Sequence, residues 1–232
     1  MGNEGKYWDE GIMLVPGCTK VSEGCDHCWS ESMSKRTGKG FEPRFDEKQL
    51  ARFGKGKPRI ISIWNDLFHE CVTDDEIIQT LIAMFFNDKN IYLVLTKRAD
   101  RLLKLKGAWF GQEKGARVRL YNMPNLWLGV TAENQARWGE RVPQLLAANP
   151  AHPWVMCEPL LEEIKRPRNI EKLHWVVAGE ETGKSKRTIE EAVLRALLWD
   201  ADAAAVPFWG KAGYGEGDRA YPPALLHHLG KH

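Results

Sequence analysis

From residue 59 onward the chain repeats one pattern: a short apolar run, a polar or glycine-bearing loop, then an amphipathic stretch. The apolar runs are Arg59–Trp64, Ile91–Thr96, Leu126–Val130, Pro153–Met156, His174–Ala178 and Ala204–Phe208. Their length and their β-branched and aromatic content favour strands over buried helices. Near-continuous apolarity, without alternation, is what a parallel sheet covered on both faces requires. Between the runs, Thr73 and Glu76 read as a capping box ahead of an apolar stripe of Ile77, Ile78, Leu81, Ile82 and Phe85. Thr188 and Glu191 repeat the device before Val193, Leu194, Leu197 and Leu198. A third helix is expected from Asn134 to Leu146, and a fourth after Cys28 to about Arg36.

Strands alternating with helices imply right-handed βαβ crossovers. With a first strand near Ile12–Val15, the pattern predicts an α/β fold: a single-domain parallel β/α barrel over residues 1–232, full or partly open, of six or seven units with an N-terminal cysteine loop. A doubly wound open sheet is the alternative. In either, ligands belong at the C-terminal ends of the strands.

Composition narrows the class. Thirty-three Lys and Arg against 31 Asp and Glu leave a formal charge of +2, so the whole molecule is not a polyelectrolyte. The start, Met1-Gly2-Asn3-Glu4, lacks a signal-peptide apolar region, and no run approaches bilayer-spanning length. A cytoplasmic location and no membrane partner are therefore expected. Basic stretches recur at Lys55–Arg59, Arg101–Lys106, Lys114–Arg119, Lys165–Arg168 and Lys184–Arg187. With ten tryptophans they permit a nucleotide or nucleic-acid partner, although charge runs in loops are usually just solvated.

Three of the five cysteines, Cys18, Cys25 and Cys28, fall within eleven residues. In a reducing compartment such a cluster points to a metal site rather than to disulfides. Three thiolates without an evident fourth ligand suit a four-iron cluster with one open iron. Structural zinc, with His69, Cys71 or Cys157 as a remote ligand, fits the spacing equally well.

The expected strand ends carry further polar residues. Asp66, His69 and Glu70 follow the second strand; Asp66 or His69 could bind a ligand or merely cap the turn. Lys97 and Arg98 follow the third strand, with Asp100 a nearby partner for Arg98. Glu133 and Asn134 follow the fourth, where Thr131 reads as an N-cap. Cys157 lies beside Glu158-Pro159, as a pocket thiol or a small buried hydrophobe. Glu180 stands in the glycine-bracketed loop Gly179–Lys184, and Lys211 follows Trp209.

These pieces, in order, resemble a known family. Val15-Pro16-Gly17-Cys18 through Gly24-Cys25-Asp26-His27-Cys28-Trp29, then Asp66–Glu70, Leu95–Arg98, Trp127–Thr131, Cys157–Leu161, Gly179-Glu180 and Val206–Phe208 with Lys211, are similar to the three-cysteine phage proteins of the Gp37/Gp68 family, which look like compact relatives of radical S-adenosylmethionine enzymes. The resemblance implies a [4Fe-4S] cluster on Cys18, Cys25 and Cys28 that chelates S-adenosylmethionine. It implies an external electron donor and hydrogen abstraction from a substrate of unknown identity, nucleotide or nucleic acid among the candidates. In that reading Asp66, Lys97 and Glu180 hold the cofactor, and His69, Glu133, Cys157 and Lys211 face substrate. Radical enzymes of that kind space their cysteines by three residues and then two, whereas here the spacing is six and then two. The alternatives are a metal-dependent hydrolase or nuclease with structural zinc, and a non-catalytic binding protein stapled by its metal.

Overall fold

The computed structural model describes residues 5–113, 116–182 and 186–230. Met1–Glu4, Lys114, Gly183 and Lys184, named above, lie outside the described residues. Strands β1 (Glu10–Met13), β2 (Ile60–Trp64) and β3 (Ile91–Thr96) are followed by a hairpin, β4 (Trp109–Glu113) and β5 (Ala116–Arg119). Then come β6 (Leu126–Thr131), β7 (His152–Cys157), β8 (Trp175–Ala178) and β9 (Phe208–Gly210). The helices are α1 (Trp29–Thr37), α2 (Asp74–Phe86), α3 (Ala99–Leu105), α4 (Gln135–Ala148), α5 (Glu191–Ala203) and α6 (Pro223–His228).

Seven strands form one sheet in the order β1-β2-β3-β6-β7-β8-β9, and every neighbouring pair is parallel. Spatial order follows chain order throughout, as in a β/α barrel, with no reversal of the kind that marks a doubly wound sheet. The sheet is curled and open, a half-barrel flanked by helices. Its two edges approach each other through the segment before β1: Trp209 Nε1 donates to the Gly5 carbonyl at 3.0 Å, and Tyr7 packs edge-on against Trp209 and Trp175.

Alternate residues of each strand face the two sides of the sheet. The outer side, toward the helices, carries Ile61, Ile63, Tyr92, Val94, Leu126, Leu128, Val130, Val155 and Val176, packed with the apolar stripes of α2, α4 and α5. Inside the curl a second cluster joins Tyr7, Ile60, Ile91, Leu93, Trp127, Trp154, Trp175, Val177 and Trp209. Indoles this large need small neighbours on the same face. A methyl group built on Gly129 would stand 2.6 Å from Trp154 Nε1 and 2.7 Å from the Trp154 carbonyl, and one on Gly11 would overlap the Trp64 ring.

Several boundaries differ from the sequence pattern. The capping box at Thr73 and Glu76 forms as expected. The one proposed at Thr188 does not: α5 starts at Glu191 behind Glu190. Asn134, not Thr131, caps α4, accepting from the Arg137 amide at 2.9 Å. The last strand begins at Phe208, because α5 runs on to Ala203 and Ala205 takes a left-handed turn at φ 54°. The first strand ends at Met13, and the basic stretch around Arg117 and Arg119 forms the β5 arm of a hairpin with β4 instead of a loop.

Because Gly129 leaves room for an indole and for backbone, Gly129→Ala should lower unfolding free energy by about 1–3 kcal/mol. Urea denaturation followed by far-ultraviolet circular dichroism measures this, and an unchanged midpoint would contradict the packing described.

Candidate functional site

The C-terminal ends of β1, β2, β3, β6, β7 and β9 surround a cavity of about 460 Å³. Below it the tryptophan cluster plugs the curl, while the residues at the upper ends of the strands (Ser62, Trp64, Leu95, Thr131 and Met156) line its floor and wall. The loop from Cys18 to Cys28 roofs it.

Polar side chains hold that roof down. Glu133, just past β6, is fully buried, and its carboxylate accepts from the Ser22 hydroxyl and, at 3.3 Å, from the Gly24 amide. Arg141 of α4 pairs with it at 2.9 Å, and Lys97 lies 3.7 Å away. Burial alone would raise the Glu133 pKa, but Lys97, Arg141 and the Ser22 bond bring it below the ordinary carboxylate range. A side chain at position 24 would meet this carboxylate at 2.8 Å, which is why glycine stands between two cysteines there.

A second anchor is Thr19. Its hydroxyl accepts from Arg98 Nη2 at 2.7 Å and lies 2.9 Å from His69 Nε2. The Cys71 amide donates to His69 Nδ1 at 3.1 Å, so the ring proton belongs on Nε2 and donates to Thr19. Burial and the neighbouring Arg98 lower the His69 pKa, consistent with a neutral strut. Arg98 pairs with Asp66 at 2.9 Å and Glu70 at 2.7 Å, rather than with the expected Asp100. Asp66 also accepts from the Phe68 amide at 3.0 Å, so the turn-capping reading of Asp66 holds alongside its place in the cavity wall. A third anchor joins His27 Nδ1 to buried Glu181 at 3.0 Å, with Arg187 on the same carboxylate and on the Glu23 carbonyl. Burial opposes the shift, yet the Arg187 and His27 bonds hold Glu181 down at about 2.

The thiols differ from one another. Lys97 Nζ lies 3.5 Å and the Ser22 hydroxyl 3.8 Å from Cys25 Sγ. Burial works against ionisation, but Lys97 and local hydrogen bonds bring the Cys25 thiol below its usual range. Cys18 sits 3.8 Å from Arg98 Nη1 and donates toward the Thr19 carbonyl at 3.5 Å; burial and Asp66 push its pKa up to about 11. Of Cys18 and Cys25, Cys25 is therefore the more readily ionised, the property that governs nucleophilicity.

Of the residues singled out in the sequence, Cys18, Cys25, Cys28, Asp66, Lys97 and Lys211 line the cavity. His69 and Glu133 stand behind the wall as supports. Cys157 is fully buried on the helix side of β7, with its pKa pushed up by burial, so the small-hydrophobe reading describes it. Glu180 faces away and pairs with Lys186 at 3.3 Å. Trp8, Trp29 and Trp64 form an aromatic wall that the sequence pattern does not mark as part of a site. Trp29 and Trp64 meet edge to face at 5.2 Å, and Lys211 lies 5.3 Å over Trp8 while pairing with Glu158 at 2.6 Å. The position of Trp64 at a strand end and of Trp29 directly after Cys28 was the available signal.

The expected metal chemistry is corrected here. Among the described residues no group of three or more His, Cys, Asp and Glu side chains is arranged to hold a metal ion. Cys18 and Cys25 are instead engaged by Arg98 and Lys97, and the nearby carboxylates are taken up in ion pairs with arginines. These donors do not fit a [4Fe-4S] cluster with chelated S-adenosylmethionine. The radical-enzyme reading, its cofactors and its electron donor therefore fall, and so do the readings that rest on structural zinc or a divalent ion. Among the described residues no helix is long and apolar enough to cross a membrane.

Arg141→Met leaves Glu133 buried without its closest cation and should cost about 3–5 kcal/mol, measurable by denaturant unfolding. The Glu181 carboxylate has a folded pKa below its ordinary 4.5, so its contribution to stability is present at neutral pH. That contribution is lost as pH falls from 4.5 toward 2. Glu181→Gln should lower the melting temperature at pH 7 and flatten its acid-side decline; parallel wild-type and variant profiles would contradict the assignment.

No curated protein and no solved structure matches the chain. One family model does, over residues 5–221, described as a protein of unknown function (DUF5131). That span contains every strand of the sheet and the whole cavity lining, and the chain belongs to the DUF5131 family.

Proposed function

We propose that this protein binds a nucleotide-sized planar ligand in the cavity at the C-terminal edge of its sheet. The observation that carries the reading is the mixed lining of one cavity, in which Tyr7, Trp8, Trp29, Trp64 and Met156 share the wall with Lys97, Arg98, Asp66, Glu158 and Lys211. A heteroaromatic ring is the ligand type that uses both: its faces stack on indole and its edge takes hydrogen bonds from charged groups. Lys97 and Lys211 supply cations for an anionic substituent such as a phosphate. The volume of about 460 Å³ lies within the roughly 300–1,000 Å³ of small-molecule sites, a size for a mononucleotide rather than a duplex. The resemblance to the phage Gp37/Gp68 proteins, found in phage genomes and mobile elements, agrees with a ligand drawn from nucleic-acid components. Cys25 borders the same space, with Lys97 Nζ 3.5 Å from its sulfur.

Nucleoside monophosphates should quench tryptophan fluorescence saturably, since Trp8, Trp29 and Trp64 all border the cavity. Lys97→Met and Trp64→Ala should each weaken the best ligand by about tenfold, on the order of 1.4 kcal/mol, with folding checked by circular dichroism. A flat response to the four common bases, or equal affinity in Lys97→Met, would remove the proposal.

A further inference from the structure

At the end of the sheet remote from the cavity, two imidazoles face each other. His152 opens β7 and His174 immediately precedes β8, so the parallel pairing sets them side by side on the N-terminal rim. The His174 amide donates to the Pro153 carbonyl at 2.8 Å, which fixes the two backbones, and the ring Nδ1 atoms stand 3.2 Å apart. The His152 ring lies flat on buried Trp127, with centroids 4.5 Å apart and planes at 9°. The His152 ring turns its Nδ1 toward His174. His228 of α6 adds a third imidazole within electrostatic reach, but its Nε2 is 2.6 Å from the Asp88 carbonyl and so is already engaged.

We propose that His152 and His174 form a two-donor site for a late first-row divalent ion such as cobalt, nickel, copper or zinc. Two imidazole nitrogens at ~2.0–2.1 Å from a tetrahedral ion stand roughly 3.3 Å apart, close to the separation seen here. Imidazole donors select these ions over magnesium and calcium. The π-stack on Trp127 limits how far the His152 ring can turn. Binding asks that both rings carry their proton on Nε2, so that both Nδ1 lone pairs point inward, and exposed His174 is free to take that form. Two protein donors leave the remaining coordination positions to water, which makes this an exchangeable surface site and not a resident metal centre. It shares no residue with the cavity and stands or falls independently of the ligand proposed there.

The simpler account of the same geometry is one imidazole hydrogen-bonded to the other, and the two make opposite predictions. Cobalt(II) titrated into the metal-free full chain should show one saturable equivalent with an absorption spectrum free of a thiolate charge-transfer band, separating it from the cavity cysteines. His174→Ala, at an exposed position, should weaken that equivalent at least tenfold without changing the metal-free melting temperature. His152→Gln should do the same, while Cys25→Ser should leave it unchanged. In proton spectra, the ring resonances of His152 and His174 should broaden first as nickel(II) is added. Cobalt uptake unchanged in His174→Ala, uptake carried only by a thiolate-type band, or no saturable uptake would each overturn the site.

Discussion

Packing of indoles inside a curled sheet is the constraint on which the rest of this structure depends. Trp127, Trp154, Trp175 and Trp209, with Tyr7, fill the lower half of the curl. Gly129 leaves the inner face bare where the Trp154 ring passes, and Gly11 does the same for Trp64 above them. Four indoles below give the curl a solid base, and the mixed residues above them line an open top. The cavity is thus a direct result of side-chain volume along each strand: Trp127 and then Thr131 on β6, Trp154 and then Met156 on β7.

The roof over that cavity rests on a different kind of interaction. The loop carrying Cys18, Cys25 and Cys28 has no fully buried cysteine of its own and is secured by side chains that the sheet supplies. Glu133 reaches it from β6, Arg98 and Lys97 from β3, His69 from β2, and Glu181 from β8. Buried charges of this sort contribute little net stability, because desolvation offsets most of their attraction, but removing one partner is expensive. Their effect here is positional. They hold Cys25 against Lys97 and keep the loop at one height above the aromatic wall.

The fold was legible in the sequence because its signals are local and periodic. Apolar runs such as Ile91–Thr96 and the capping box at Thr73 read directly, and both formed where expected. Boundaries slipped where a turn depends on tertiary packing, as at Ala204–Pro207, which reads as strand but ends a helix. The site was half legible. Strand-end position located Asp66, Lys97 and Lys211, since topology alone carries them to the cavity. It misassigned Cys157 because a strand end has two faces, and the even–odd register that sends Met156 inward sends Cys157 outward. Spacing of the cysteines suggested a metal, yet spacing says nothing of which neighbours reach the thiols first. Arg98 and Lys97, some seventy or more residues further along the chain, could be placed against Cys18 and Cys25 only by the folded sheet.

The bond from Trp209 to the Gly5 carbonyl also bears on how the chain assembles. Its partners are 204 positions apart, and the indole that makes it belongs to the last strand of the sheet. During synthesis β6, β7 and β8 emerge with an inner face of indoles before the last strand is there to cover it. The enclosed interior is completed only when residues 208–210 arrive and the leading segment folds across to meet them. A ribosome-bound fragment stopped short of that point should expose its tryptophans to solvent and depend on chaperones, however complete its helices are.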